Sequence, residues 1–397
     1  MPGAAESIFW ISLTAVLAPL VAGLVLRGKV PEVVLLLVLG VLIGPHVLEL
    51  AVAGEGVTML RELGLGMLFL LAGYEIEVDE LVGRGGRRAL VTWVACFGTA
   101  WLLVALVGLT HAVHAEVAVA IALTSTALGT LLPILKDNGM LGTRFGRTLM
   151  NHGAYGELGP VVAMAVLLGT RGIADSLLIL GAFFLLAVLV HRFSSRVSRE
   201  GGRLLAEVRR GAETSRQIQV RLVVLLLVSL IAAAELFDLD VVLGAFAAGF
   251  VLRGLLPDGH EALEHKLEGL AFGLLIPIFF ITSGMAIDPR AVAEEPVALV
   301  AFVALILVVR GGGVLLASRR DFSPPESAAL ALFAATGLPI VVAVTSVAVD
   351  AGQMTPTNAS VLVAGGAVTV LICPLLAQRL VRTSHPVQVT QGDGARG

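Results

Sequence analysis

The chain has 397 residues, 57 % of them apolar and 14 % charged, with a net charge of −3 and a mean hydropathy of +0.94. A soluble domain carries about 25 % charged residues, so this composition excludes an ordinary water-soluble protein. The apolar runs are continuous rather than alternating, which excludes a β-barrel. What remains is an all-α polytopic membrane protein whose backbone polar groups are satisfied within helices.

Runs near the ~20 residues that cross a hydrocarbon core recur from end to end. Set against the polar breaks, they give thirteen predicted spans: 8–26, 32–48, 57–74, 88–110, 115–135, 145–169, 174–192, 219–236, 238–254, 266–287, 296–317, 326–349 and 358–381. Glu6 precedes the first run, with no basic residue before it and no small-residue cleavage site after it. That run therefore reads as a retained helix and not a signal peptide. Basic residues test the count, because Lys and Arg collect on the cytoplasmic side. The odd-numbered connections carry Arg27 and Lys29; Arg84, Arg87 and Arg88; Lys136, Arg144 and Arg147; eight arginines from Arg192 to Arg221; Arg253 and Lys266; and Arg319 and Arg320. Arg379 and Arg382 close the last span, whereas the even-numbered connections hold only Arg171 and Arg290. The alternation places the N-terminus outside and the C-terminus in the cytoplasm of a cell membrane.

Residues 1–381 thus read as one transmembrane domain, with a first repeat and linker helix over 1–192 and a second repeat over 218–381. Between them, 193–217 is a long polar cytoplasmic linker, and 382–397 reads as a disordered cytoplasmic tail. "GRGGRR" (83–88) lacks the strand–helix context of a nucleotide site. Cys96 and Cys373 lie inside apolar runs and suggest neither a disulfide framework nor a zinc site. No cofactor and no nucleic-acid partner are expected, and no nucleophile–base pair or metal cluster marks an enzyme.

The halves resemble each other. "VLGVLIGPHVL" (38–48) matches "VLGAFAAGFVL" (242–252), "FLLAGYEI" (69–76) matches "FITSGMAI" (280–287), and "TALG" (126–129) matches "TGLP" (336–339), all at nearly one spacing. That spacing is an odd number of spans, so corresponding helices cross in opposite directions. The pattern is an inverted repeat, which in many secondary transporters places the site at the midplane between the halves. Matching helices interrupted by Gly or Pro point to that site. They are "ALTSTALGTLLPI" (122–134), broken by Gly129 and Pro133, and "LFAATGLPIVVAV" (332–344), broken by Gly337 and Pro339. Two half-helices meeting midway present amide and carbonyl ends to a common point. The plainer reading is a kink in each helix, with Ser125, Thr126 and Thr336 bonding back to their own turns.

Two ionisable residues lie deep in the spans: Glu157, at the centre of the sixth, and Arg310, in the eleventh. A central carboxylate costs about 2.5–3.5 kcal/mol. Protonation relieves that cost, and loss of the proton leaves two anionic oxygens suited to a small monovalent cation. Gly153, Ala154, Gly156 and Gly159 leave room for another helix backbone beside Glu157. Architectural alternatives are a Glu157–Arg310 ion pair that locks two helices, or an Arg310 that snorkels to the interface. His152 reads as an interfacial residue, and Glu62, Glu235, Asp238 and Asp240 as solvated termini.

The chain resembles the monovalent cation:proton antiporter-2 family, which includes sodium/proton exchangers and the membrane part of Kef-type potassium efflux systems. The resemblance covers residues 8–381 and rests on "PEVVLLLVLGVLIGP" (31–45), "LGLGMLFLLAGYEIEVDEL" (63–81), "ALTSTALGTLLPILKDNG" (122–139), "DVVLGAFAAGFVL" (240–252), "GLLIPIFFITSGMAID" (273–288) and "ATGLPIVVAV" (335–344). It implies a homodimer of 13-helix protomers with the sodium/proton antiporter-like fold, in which two discontinuous helices, spans 5 and 12, cross. Spans 4–6 and 11–13 form a mobile core, spans 1–3 and 8–10 a dimer-side domain, and span 7 links them. It also implies that Glu157 is the ion-site carboxylate and Arg310 the basic residue of the other repeat. The family usually has Asp there, preceded by Asp, Asn or Gln, where this chain has Gly156-Glu157. One carboxylate with an Arg resembles the electroneutral members. The Kef-type nucleotide-binding domain is not seen, so its regulation is not expected of this chain.

The expected function is secondary exchange of Na⁺ or K⁺ for protons by an elevator-type movement, with the cation bound transiently at Glu157 and with Ser125, Thr126 and Thr336 beside it. The alternatives are a solute:sodium symporter on a similar fold and a membrane regulatory subunit that transports nothing.

Overall fold

The computed structural model describes residues 2–25, 30–75, 83–108, 115–137, 139–168, 174–183, 185, 188–189, 217–237, 239–255 and 261–384. Among these it is wholly helical. The expected linker, apart from Gln217, lies outside the described residues, as do Asp238 and the tail beyond Ser384. Eight described helices are long and apolar enough to cross a membrane, and three shorter apolar helices accompany them.

In chain order the helices are α1 (Ala4–Leu20, continued by a π-helical turn Val21–Val25), α2 (Glu32–Ile43), α3 (Glu55–Glu75), α4 (Arg84–Gly108), α5 (Glu116–Leu123), α6 (Leu128–Asp137), α7 (Arg144–Leu167) and α8 (Ala174–Phe183). Then follow α9 (Ile218–Leu236), α10 (Val241–Leu255), α11 (Glu261–Leu270) and α12 (Ile276–Met285), the last two joined by a π turn at Ala271–Leu275. The remainder is α13 (Pro289–Glu294), α14 (Pro296–Ile306), a π turn Leu307–Gly311, α15 (Gly312–Ser318), α16 (Pro324–Ala334), α17 (Leu338–Asp350) and α18 (Pro356–Ser384).

Local chemistry sets several of these ends. Thr143 Oγ1 caps α7 by accepting from Gly146 N at 3.1 Å. Ser323 and Glu326 form a capping box ahead of α16. Asp240, read from sequence as merely solvated, caps α10: its Oδ1 accepts from Val242 N at 2.8 Å. Most described limits fall within four residues of the sequence reading, and two differ by more. The second span stops at Ile43 and not near 48, because Pro45 holds Gly44 extended, with ψ 175°. The tenth begins at Glu261 and not at 266, because residues read as a polar connection form the amphipathic α11.

The helices pack as two groups. One contains α1–α3 and α9–α12; the other contains α4–α7 and α14–α18. Within the first, α3 lies along α10, and α2 along α12. Both crossings depend on missing side chains. A Cβ at Gly249 would meet Leu70 O and lie 2.7 Å from Tyr74 N, and a Cβ at Gly40 or Gly284 would meet the backbone oxygen of Ile281 or Leu37. Gly249→Ala is therefore expected to destabilise the protein by about 1–3 kcal/mol through overpacking, measured as a lower midpoint of thermal unfolding in detergent. Phe9, Trp101, Leu225 and Val300 project outward from α1, α4, α9 and α14. Such exposed apolar faces suit lipid and not water.

The two groups enclose a cavity near each end of α3. One, about 150 Å³, includes Arg61, Ser283, Ser346, Asp350 and Ser360. Arg61 Nη2 crosses it to donate to Ser346 Oγ of α17. The other, about 260 Å³, includes Glu75, Met150, Arg253, Glu264 and Glu268.

Candidate functional site

Two helix breaks face each other in the second group. Residues 124–127 separate α5 from α6, and residues 335–337 separate α16 from α17. The breaks are stitched together: Ala127 N donates to Thr336 O at 2.6 Å, and Thr126 Oγ1 donates to Ala334 O at 2.6 Å. A Cβ at Gly337 would lie 2.9 Å from the Ser125 backbone carbonyl carbon. Gly337 thus lets the chains touch, and Pro339 sits in the first turn of α17, where its missing N–H costs nothing. Gly129 and Pro133 do not sit at the first break but just beyond it, inside α6. The hydroxyls divide. Ser125 and Thr336 donate to the carbonyls of Ala122 and Phe333, three residues back, at 2.7 Å each. Ser125 Oγ also lies 3.4 Å from Gly337 O of the other break, and Thr126 donates only across to it.

Helix α7 lies against this junction. Pro160 has no N–H, so Gly156 O loses its intrahelical donor, and Thr126 N donates to it at 3.0 Å. The following residue, Glu157, is 4 % exposed. Its Oε1 accepts from Leu128 N at 2.6 Å, and the Gly129 amide faces the same carboxylate. The acid therefore caps the amide end of α6, where unpaired N–H groups and the helix dipole favour negative charge. Oε2 has no hydrogen-bond partner.

Arg310 occupies the other side of Gly156. It is fully buried, at 0 % exposure, so it does not snorkel. The π turn at Leu307–Gly311 directs it inward. Nε donates to Thr126 Oγ1 at 2.9 Å and Nη2 to His152 O at 2.5 Å, while Nη1 has no partner. Arg310 does not pair with Glu157; its bonds are to Thr126 and to the α7 backbone. Thr126 passes its own proton on to Ala334 O, at the carbonyl end of α16, so the cation stands where that dipole is negative. The site is thus a carboxylate at one half-helix's amide end and a guanidinium near another's carbonyl end, with Gly156 between them.

The small residues of α7 admit side chains as well as backbone. A Cβ at Gly153 would strike Leu128, one at Gly159 would strike Trp93, and one at Gly156 would lie 2.5 Å from both Arg310 Nη2 and Thr126 Oγ1. Gly156→Ala is expected to displace the guanidinium and cut cation-dependent exchange at least about tenfold, since overpacking here costs about 1–3 kcal/mol; proteoliposome assays of folded protein measure it. His152, read as interfacial, is 3 % exposed, and its Nδ1 has no partner. Glu75, Glu264 and Glu268 escaped the sequence reading, which placed Glu75 at a span end and Glu264 in a connection and used Arg253 only as a basic residue that orients the spans. The usable signal was the four-residue spacing of Glu264 and Glu268 on one helix face.

Fold and site together define a polytopic helical membrane protein built around one enclosed carboxylate at a double helix break. The family model described as sodium/hydrogen exchanger, transmembrane, matches residues 12–383, so the chain belongs to that family, one of antiporters and not of enzymes. It is 24 % identical over 302 residues to the probable Na(+)/H(+) antiporter GerT of Bacillus cereus, covering 72 % of this chain and 76 % of that one. It is 28 % identical over 308 residues to the glutathione-regulated potassium-efflux system protein KefC of Escherichia coli, covering 74 % of this chain and 47 % of KefC, about half that relative's length. The solved structure of the sodium proton antiporter MjNhaP1 from Methanocaldococcus jannaschii shares the fold, with a TM-score of 0.65 at 17 % identity over 95 % of this chain and 99 % of that one.

Proposed function

We propose that this chain exchanges one monovalent cation, Na⁺ or K⁺, for one proton across the cell membrane. The observation that carries this reading is Glu157, with one oxygen held by backbone amides and the other enclosed without a donor. An unpaired buried oxygen of this kind demands a proton or a cation, and because either one would satisfy the same oxygen, the two compete. Ser125, Thr126 and Thr336 keep oxygen lone pairs close to the same junction. Replacing one H⁺ by one monovalent cation leaves the charge of the site unchanged, which makes the cycle electroneutral.

Eight long helices, three short ones, the α5–α6 pair and α7 support thirteen spans. The pairings of α2 with α12 and of α10 with α3 exchange members of the two sequence repeats, as an inverted repeat requires. The basic residues then put the N-terminus outside and the C-terminus in the cytoplasm. An elevator movement follows if the group bearing Glu157 slides against α1–α3 and α9–α12, and the latter group forms the homodimer contacts that hold it in place. The test is Glu157→Gln in proteoliposomes: a pH gradient that Na⁺ or K⁺ still dissipates at the original rate removes the assignment.

A further inference from the structure

Helices α4 and α15 pack antiparallel, with the start of one beside the end of the other. Cys96 Sγ donates to Val309 O at 3.3 Å, and a Cβ at Gly313 would strike the same sulfur and lie 3.7 Å from Thr92 Cγ2. Two turns earlier on α4, Arg88 donates to Ala317 O and pairs with Asp321 just beyond α15. Arg88, Thr92 and Cys96 thus face α15 at the four-residue spacing of one helix face. On both helices the position just before a contact residue is open. Arg87 and Val91 precede Arg88 and Thr92, and Leu316 precedes Ala317; all three are exposed. In an antiparallel pair, an equal rotation away from the contact line turns both open faces to the same side.

Each open face is apolar along its length and ends in two arginines. On α4, Trp101, Val94 and Val91 lead at helical spacing to Arg87 and Arg84. On the other helix, Val308, Leu315 and Leu316 lead to Arg319 and Arg320. Asp321 does not neutralise these four arginines, because its two oxygens are taken by Arg88 and by Arg144 Nη2, the latter at 3.1 Å. Among the described residues the side chains of Arg84, Arg87, Arg319 and Arg320 have no hydrogen-bond or ion-pair partner. The excess of basic residues on the cytoplasmic side accounts for arginines at this end of the bundle. It does not account for two unpaired pairs that complete two apolar stripes on one side of one helix pair.

We propose that this face of α4 and α15 binds an anionic phospholipid of the cytoplasmic leaflet. The phosphate lies among the four guanidiniums, whose planar forks match phosphate oxygens. The acyl chains run along Val91 and Val94 on one helix and Leu315 and Leu316 on the other. Those stripes give a lipid an advantage that free phosphate lacks. An arginine near an anionic headgroup layer is expected to contribute about fivefold in lipid affinity.

The test is native mass spectrometry of the purified chain in detergent, titrated separately with dioleoyl phosphatidylglycerol and dioleoyl phosphatidylcholine. Wild type is expected to bind the first phosphatidylglycerol at least about tenfold more tightly than phosphatidylcholine. Arg87→Gln and Arg319→Gln each weaken phosphatidylglycerol about fivefold and leave phosphatidylcholine unchanged, and replacing all four arginines by Gln abolishes the preference. None of the four side chains bonds within the protein, so these variants keep the fold. Arg221→Gln is the reference, because Arg221 is an exposed arginine at the start of α9, in the other helix group. If Arg221→Gln weakens phosphatidylglycerol as much as Arg87→Gln does, the attraction is general to the basic face and the site is overturned. It is overturned as well by a wild type without preference, or by a preference that survives loss of all four arginines. Glycerol 1-phosphate, the headgroup chemistry without chains, is expected not to compete; displacement of the lipid by it makes this a phosphate site and contradicts the proposal.

Discussion

Glu157→Gln is expected to reduce cation-driven proton movement to the leak of empty vesicles while leaving the protein folded. The amide still offers Leu128 N an oxygen, so the hydrogen bond that caps α6 survives. What disappears is the ability to lose a proton. A neutral side chain neither releases H⁺ nor attracts a cation, so the cycle has no substrate-dependent step left to slow. Stability moves the other way. A central carboxylate costs about 2.5–3.5 kcal/mol when ionised and unpaired, and the amide never bears that cost. At alkaline pH, and without added cation, the variant's unfolding midpoint is therefore expected to equal or exceed that of wild type. A variant that unfolds earlier than wild type under those conditions contradicts the picture of an unpaired acid.

Arg310→Ala has the second largest expected effect, and it is on the fold as well as on transport. Among the described residues Arg310 is the largest fully buried side chain. Its removal deletes the charged bonds to Thr126 and His152 O and leaves a void beside Gly156. A loss of about 3–5 kcal/mol is expected from the truncation and the lost bonds together, read as a lower midpoint of thermal unfolding. Arg310→Lys separates architecture from ion handling. Lysine keeps the charge but not the planar fork that serves two acceptors at once. The Lys variant is expected to fold, with an altered cation affinity and pH profile. If both are unchanged, Arg310 is a structural brace only.

Much of this was legible in the residues. Apolar run lengths and the arginine alternation located most helices to within a few residues. The Gly/Pro pairs flagged the two broken helices, although the first break lies at 124–127, ahead of both Gly129 and Pro133. Hydropathy measures average polarity and not where the last helical hydrogen bond forms. Glu157 stood out because a mid-span carboxylate is costly. Its partner did not: the nearest strong donor is the backbone of Leu128, a group carried by every residue and so invisible in a sequence. The Glu157–Arg310 pair, weighed as an architectural alternative, does not form for a related reason. Pro160 frees Gly156 O to bind Thr126 N, which brings the break against α7 and sets Thr126 in front of the guanidinium. Glu75 was missed because a carboxylate at a span end normally faces water. Here residues of α7, α10 and α11 share the cavity wall with it, and its Oε2 is enclosed.

The central claim is that a proton and a cation compete for the same two oxygens of Glu157. Tracer Na⁺ or Rb⁺ uptake into proteoliposomes, measured over a range of cation concentrations at successive pH values with the voltage clamped, tests it most directly. Competition predicts that on the acid side the apparent KM rises about tenfold per pH unit, because the ligand must be deprotonated to bind, while the maximal rate stays constant. A maximal rate that falls with acidity at constant KM contradicts it.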